Sequence, residues 1–220
     1  MTDAHEPSLV ELPLFPLQTV LVPGAMLPLR IFELRYLEMV GRCLREDTGF
    51  GVVALTEGAE VQRPRPEGPE GFADESFCAV GTLARVEWHA RPQAGLITLR
   101  ARGTRRFRLS SRQRRRNGLW VGHAELLPED PAIPVPEDLR ALASRMGEAL
   151  SRWEASRGQT DPSLPPRPWP LQDCGWLSWR WCELLPLSAA LRQRLLEIDS
   201  PLLRLELVSD LLDEIGAPGE

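Results

Sequence analysis

Apolar and polar positions change period twice along the chain's 220 residues. Leu9–Leu14 alternates in part and runs into Phe15-Pro16. Thr19–Val22 is a short apolar run closed by the turn signal Pro23-Gly24, and Met26–Phe32 is a further extended run with Pro28 suited to an edge or a strand start. From Glu33 to Asp47 the spacing becomes helical: Tyr36, Leu37, Val40 and Leu44 recur on one side, Arg35, Glu38, Arg42 and Arg45 on the other. Phe50–Leu55 predicts a buried strand. Phe77–Trp88 alternates, with Cys78, Val80, Ala84, Val86 and Trp88 on the expected inner face and Arg85 and Glu87 outside. Gly95–Leu109 continues the alternation, read as two strands broken near Gly103. Asn117-Gly118 predicts a two-residue type I′ hairpin before a return strand over Leu119–Leu127.

Beyond a Pro-rich joint at Pro128–Pro136 the period is helical. Val135-Pro136-Glu137-Asp138 starts a helix with an apolar stripe of Leu139, Leu142, Ala143, Met146, Leu150 and Trp153. Gly158–Pro170 is a Pro-rich break. Asp173–Leu185 is a Trp-dense helix, Ser188–Glu197 a short one, and Ser200-Pro201 caps a last helix reaching about Ile215. Strands followed by helices predict an α+β chain, with a β domain over 1–130 and a helical one over 131–220. The charged, Gly/Pro-rich stretch Glu57–Glu75 is an expected mobile loop.

Composition narrows the chemistry. All 26 basic residues are Arg. Without Lys there is no P-loop lysine, no Ser–Lys dyad and no Schiff base. Arg stays protonated at any usable pH, so it cannot replace Lys as a base. The net charge of −5 disfavours general nucleic-acid binding. No run approaches the roughly 20 apolar residues of a membrane span, so no membrane partner is expected. Cys43, Cys78, Cys174 and Cys182 form no CxxC and are expected to be reduced, buried thiols of a cytoplasmic protein. His5, His89 and His123 match no zinc spacing, no G-x-S-x-G occurs, and no carboxylate pair stands out as an acid/base couple. No catalytic residue, metal or cofactor is expected.

The segment Leu12–Leu55 decides the family question: LPLFPLQTVLVPGAMLPLRIFELRYLEMVGRCLREDTGFGVVAL. It resembles the LON domain at the front of the Lon protease. The pattern PLFPL-x-x-V-x-x-PG-x-x-x-PL-x-IFE-x-RY is met at Pro13–Leu17, Val20, Pro23-Gly24, Pro28-Leu29, Ile31-Phe32-Glu33 and Arg35-Tyr36. Val80–Val86, Gly103 with Arg106-Phe107-Arg108, and Leu185–Ser188 resemble later family elements. The resemblance implies a PUA-like β pseudo-barrel with an embedded helix, followed by a helical bundle. It further implies a non-catalytic protein- or peptide-binding module, like the short bacterial members without ATPase and protease. Implied partners are proteins or peptides with exposed apolar segments, in a groove between barrel and helices, with a separate protease or chaperone as a further candidate.

Three features are candidates for partner binding. Arg114, Arg115 and Arg116 end an Arg-rich run, 100–116, without an acid. A solvated strand face is the favoured reading of that run; an RNA-binding module tracking phosphates is the alternative. Trp176 and Trp179 lie in a helix whose Trp residues, Trp181 included, cannot share one narrow face, so they fill a core or meet a partner. Arg35 either pairs with a nearby acid or meets a partner, while Phe32 and Tyr36 are expected to fill the joint between barrel and helix.

Overall fold

The computed structural model describes residues 9–58, 75–157, 161 and 164–216. His5, residues 59–74 of the charged loop and part of the Pro-rich break lie outside them. The chain divides into two compact units, Met1–Pro128 and Glu129–Glu220. The fold is mixed α+β, a multi-strand sheet followed by C-terminal helices.

The first unit contains strands β1 (Leu9–Leu17), β2 (Met26–Ile31), β3 (Phe50–Glu57), β4 (Ser76–Phe77), β5 (Val80–Gln93), β6 (Leu96–Arg114) and β7 (Trp120–Leu126), with helix α1 (Leu34–Glu46) between β2 and β3. Their order is β1-β7-β6-β5-β3-β4, and β1 also pairs in parallel with β3, so the sheet closes into a ring. Leu14 is opposite Gly51 on β3 and Trp120 on β7. Inside the ring Leu12, Leu14, Val53, Phe77, Phe107 and Ala124 form the core. Phe15 meets the rings of Tyr36 and Phe50 edge-on, at 4.1 and 6.0 Å, which fastens α1 to β1 and β3.

The predicted break at Gly103 does not occur: β6 is one strand of 19 residues. Gly103 instead permits a close approach. Its N–H donates to Ala25 C=O and its C=O accepts from Gly24 N–H, while a Cβ would lie 2.4 Å from the Val22 carbonyl oxygen. A glycine in a strand signals a bulge or a neighbouring backbone, and here it is the backbone.

The hairpin at Asn117-Gly118 forms with a different turn. Gly118 has φ 82°, but Asn117 is not in the positive-φ region that a type I′ turn requires. Gly118 N–H donates to Arg115 C=O, and Arg115 N–H donates to Leu119 C=O, the pattern of a three-residue loop ending on a left-handed glycine.

Two faces also differ from expectation. Trp88 is 43% exposed, outside the core, with the Arg100 guanidinium 4.7 Å from its ring centre. The β5 register shifts between Val86 and Trp88, which breaks strict alternation. On α1 the buried face runs through Arg35, Tyr36, Met39, Val40 and Cys43, leaving Leu37 and Leu44 at its margin.

In the second unit a 3-10 turn (Glu137–Leu139) leads into α2 (Arg140–Arg157), followed by α3 (Cys174–Leu184), α4 (Ala189–Glu197) and α5 (Pro201–Gly216). The side chains of Asp173, Ser188 and Ser200 accept from the N–H groups of Trp176, Leu191 and Leu203, capping α3, α4 and α5. The expected stripe of α2 is inside, from Leu139 to Leu150, with Trp153 half-buried. Arg204 on α5 is fully buried. It donates to Asp130, to Ser178 Oγ at 2.8 Å and to Ile198 C=O at 2.9 Å, and lies 3.5 Å over the Trp179 ring. No described helix is long and apolar enough to cross a membrane.

Candidate functional site

Among the described residues of the first unit, the junction of β2 with α1 exposes two large apolar side chains. Ile31 is buried opposite Ile97 on β6. Phe32, next in the chain, is 56% exposed, and Leu34, the first helical residue, is 71% exposed. The expectation that Phe32 fills the joint is therefore corrected; Tyr36 does fill it, at 3% exposure. Leu34 shares a helix face with Leu37 and Glu38, three and four residues on. Leu37 and Glu38 form one wall of a cleft of about 510 Å³ whose other wall is the β5–β6 turn: Arg91, Gln93, Ala94, Gly95, Leu96 and Ile97. Phe32 and Leu37 also occupy the two positions that flank an N-cap in a hydrophobic staple. That spacing is visible in the sequence, and Phe32 follows Ile31, whose strand partner Ile97 lines the cleft.

Beneath this surface lies a charged lock. Arg35 is 4% exposed and points inward. It donates to Gly118 C=O at 2.9 Å and to Glu33 Oε2 at 3.1 Å, faces Glu75 at 3.8 Å, and covers the Tyr36 ring. Glu75 also accepts from Trp120 Nε1 at 2.6 Å and from Arg114 at 3.4 Å. Burial raises the Glu33 carboxyl above its ordinary pKa although Arg35 opposes the shift, and burial raises the Tyr36 phenol as well. The family block Ile31–Tyr36 thus has two parts. Glu33, Arg35 and Tyr36 hold the helix start to the hairpin, while Phe32 and Leu34 project.

The other candidate residues are dispersed. Arg114 is engaged with Glu75 and has its guanidinium 5.3 Å from the Trp120 ring centre. Arg115 pairs with Glu11 at 2.8 Å, and Arg116 is exposed at the hairpin tip. Arg112 donates to Phe77 C=O, Arg105 to Leu127 C=O, and Arg102 binds Glu87. The Arg-rich run is therefore largely spent on intramolecular contacts. Trp179 is 5% exposed and donates to Asp130 at 2.8 Å, Trp181 is 7% exposed, and Trp176 is half-buried.

Three of the four thiols sit where burial disfavours the thiolate, while Cys78, expected to be buried, is half-buried. Cys43, Cys174 and Cys182 are buried. Burial raises all three, Cys182 to about 11. Among the described residues no group of three or more His, Cys, Asp or Glu is placed to hold a metal ion.

Known proteins bear on this arrangement. Residues 11–214 match the ATP-dependent protease La (LON) substrate-binding domain family. The crystal structure of a Lon N-terminal domain protein from Xanthomonas campestris is 34% identical, with a TM-score of 0.71 over 91% of this chain and 98% of that one. The N-terminal domain of a Mycobacterium avium complex Lon protease has the same fold at 17% identity and TM-score 0.55, covering 91% and 97% of the two chains. Cereblon from Danio rerio is 25% identical over 94% of this chain, which spans 57% of cereblon's length. The matched region is the substrate-binding domain of that family. The chain belongs to the LON substrate-binding domain family.

Proposed function

We propose that the cleft between α1 and the β5–β6 turn is where this substrate-binding module takes an extended apolar segment of another protein. The observation that carries the reading is the exposure of Phe32 and Leu34 beside a cleft with Leu37, Leu96 and Ile97 in its walls. Single exposed apolar side chains are ordinary; a cluster next to a concavity is what a binding surface requires. Arg91 and Glu38 supply charges of both signs in the walls. Such walls suit a peptide backbone and polar flanks rather than one uniformly charged ligand.

The partners on this reading are unfolded or partly folded proteins in the cytoplasm, delivered to or shared with a separate protease or chaperone. The ring of strands is taken as a PUA-like pseudo-barrel over 1–130, with a helical domain over 131–220. The spent Arg contacts weigh against RNA.

The test is binding of a permanently unfolded, fluorescently labelled model protein, read by anisotropy. Phe32→Asp with Leu34→Asp is expected to weaken binding at least about tenfold, since hot-spot apolar side chains contribute about 2 kcal/mol each. Both side chains are exposed, so the melting temperature should move little. Wild-type affinity in the double variant sinks the cleft. Affinity that collapses with salt and is lost on neutralising Arg114–Arg116 would favour the RNA-type surface instead.

A further inference from the structure

A second, smaller cavity of about 140 Å³ lies on the other side of Glu38 from the cleft. Its lining is Pro13 on β1, Met39 on α1, and Leu119 and Val121 at the start of β7, with Glu11, Arg115, Asn117, Glu38 and Arg42 also lining it. Met39, Leu119 and Val121 are buried, so the apolar part is fixed by the core. A cavity of about 150 Å³ holds a small hydrocarbon the size of benzene. This one therefore has room for an aliphatic side chain.

The charges are of both signs and not equally satisfied. Glu11 and Arg115 neutralise each other at 2.8 Å. Glu38 accepts only from the neutral amide of Asn117, at 3.3 Å, and has no cationic partner among the described residues. Arg42 reaches Glu46 only at 3.6 Å, with both side chains half exposed. Glu38 and Arg42 are four residues apart, carboxylate first, the spacing and order that favour a direct ion pair on a helix. They do not pair. The structure leaves a carboxylate and a guanidinium side by side at an apolar pocket.

We propose that this pocket binds a free aliphatic α-amino acid. The α-ammonium pairs with Glu38, the α-carboxylate with Arg42, and the side chain rests on Met39, Leu119 and Val121. A zwitterion satisfies at once the unpaired Glu38 carboxylate and the guanidinium N–H groups that Arg42 does not turn to Glu46. A peptide terminus offers only one of the two, and a neutral apolar molecule neither. The site is separate from the cleft and shares with it only Glu38, so it does not depend on the reading of the cleft.

The test uses the whole chain and isothermal titration with L-leucine, N-acetyl-L-leucine and L-leucinamide. L-leucine is expected to bind with a dissociation constant of about 0.1–1 mM, ordinary for a ligand this small. Each blocked analogue should bind at least about tenfold more weakly, because a charge-assisted hydrogen bond is lost. Glu38→Gln should remove the advantage of leucine over N-acetyl-leucine while sparing N-acetyl-leucine itself. Arg42→Gln should remove the advantage over leucinamide while sparing leucinamide. Both positions are exposed, and an unchanged circular dichroism melt separates loss of binding from loss of fold. The proposal fails if leucine shows no heat up to about 10 mM. It fails equally if either blocked analogue matches leucine, the result expected of a pocket for a peptide end, or if both variants bind leucine as the wild type does.

Discussion

The indole N–H of Trp120 donates to the Glu75 carboxylate at 2.6 Å, and that carboxylate is the common acid of Arg35 and Arg114. Glu75 stands at the entry to β4, Arg35 in the first turn of α1, and Trp120 and Arg114 on the two arms of the β6–β7 hairpin. One side chain therefore joins three separate segments of the ring. Its own side chain is 2% exposed, Arg35 is 4% and Arg114 13% exposed. Removing the acid takes the shared carboxylate from two cations in a largely buried site and leaves Arg35 with Glu33 as its acid. Glu75→Ala should cost about 3–5 kcal/mol in urea unfolding. Glu75→Gln, which keeps an acceptor for the indole, should cost less. A loss below about 0.5 kcal/mol for the alanine variant would show that water replaces the carboxylate.

Gly103→Ala tests the close approach in β6. The added methyl would meet the Val22 carbonyl at 2.4 Å and Leu21 Cγ at 3.0 Å, and backbone cannot swing aside as a long side chain can. A loss of about 2–4 kcal/mol is expected, with unchanged secondary structure by circular dichroism at low temperature. A neutral substitution would mean that the Val22–Ala25 turn shifts freely.

Arg204 and Asp130 should behave as a coupled pair in the second unit. Arg204→Met takes the guanidinium from the Asp130 carboxylate, which keeps the Trp179 indole as a donor, and should cost about 3–5 kcal/mol. Adding Asp130→Asn removes the carboxylate's charge and should restore part of the loss. The coupling energy from the double-mutant cycle is the measurement; additive costs would show that the two side chains act independently.

Thiol chemistry gives a prediction with a pH sign. Cys43, Cys174 and Cys182 are buried and Cys78 is half-buried, so a thiol reagent at pH 8 should label Cys78 first in the native chain and all four only after denaturation. Burial lifts Cys182 from the ordinary 9.0 to about 11. The unfolded chain then loses this proton first. The stability linked to Cys182 is fully present below pH 9, and it declines as pH rises through the window from 9.0 to about 11. The urea midpoint should fall over that range, and Cys182→Ala should flatten the fall.

The sequence exposed periods and punctuation well and burial less well. The α1 boundaries, the helix starts at Asp173 and Ser188, the cap at Ser200 and the α2 stripe follow from local rules that the fold respects. Gly103 was ambiguous because a strand glycine marks either an interruption or a neighbour's backbone, and only the packing of Val22 against it decides. Phe32 and Arg35 differ from expectation in exposure for a related reason, although Arg35 does pair with a nearby acid, Glu33, at 3.1 Å. An apolar residue is placed inside by default, and a charged one outside, unless a partner distant in sequence intervenes. Beyond the local Glu33, the partners of Arg35 are Glu75 and the Gly118 carbonyl, 83 residues away along the chain, which no local pattern reveals. The family block identified the domain correctly while leaving open which of its residues support the fold and which face a partner.

The closure of the ring also has a consequence in time. β1 leaves the ribosome first, yet its antiparallel partner is β7, with Leu9 opposite Glu125 and Leu14 opposite Trp120. More than a hundred residues must be made between the two. At about 5–20 residues per second, the strand waits about 5–20 s with one hydrogen-bonding edge open. The first strand of this substrate-binding domain is thus the segment most in need of shelter until β7 has been translated.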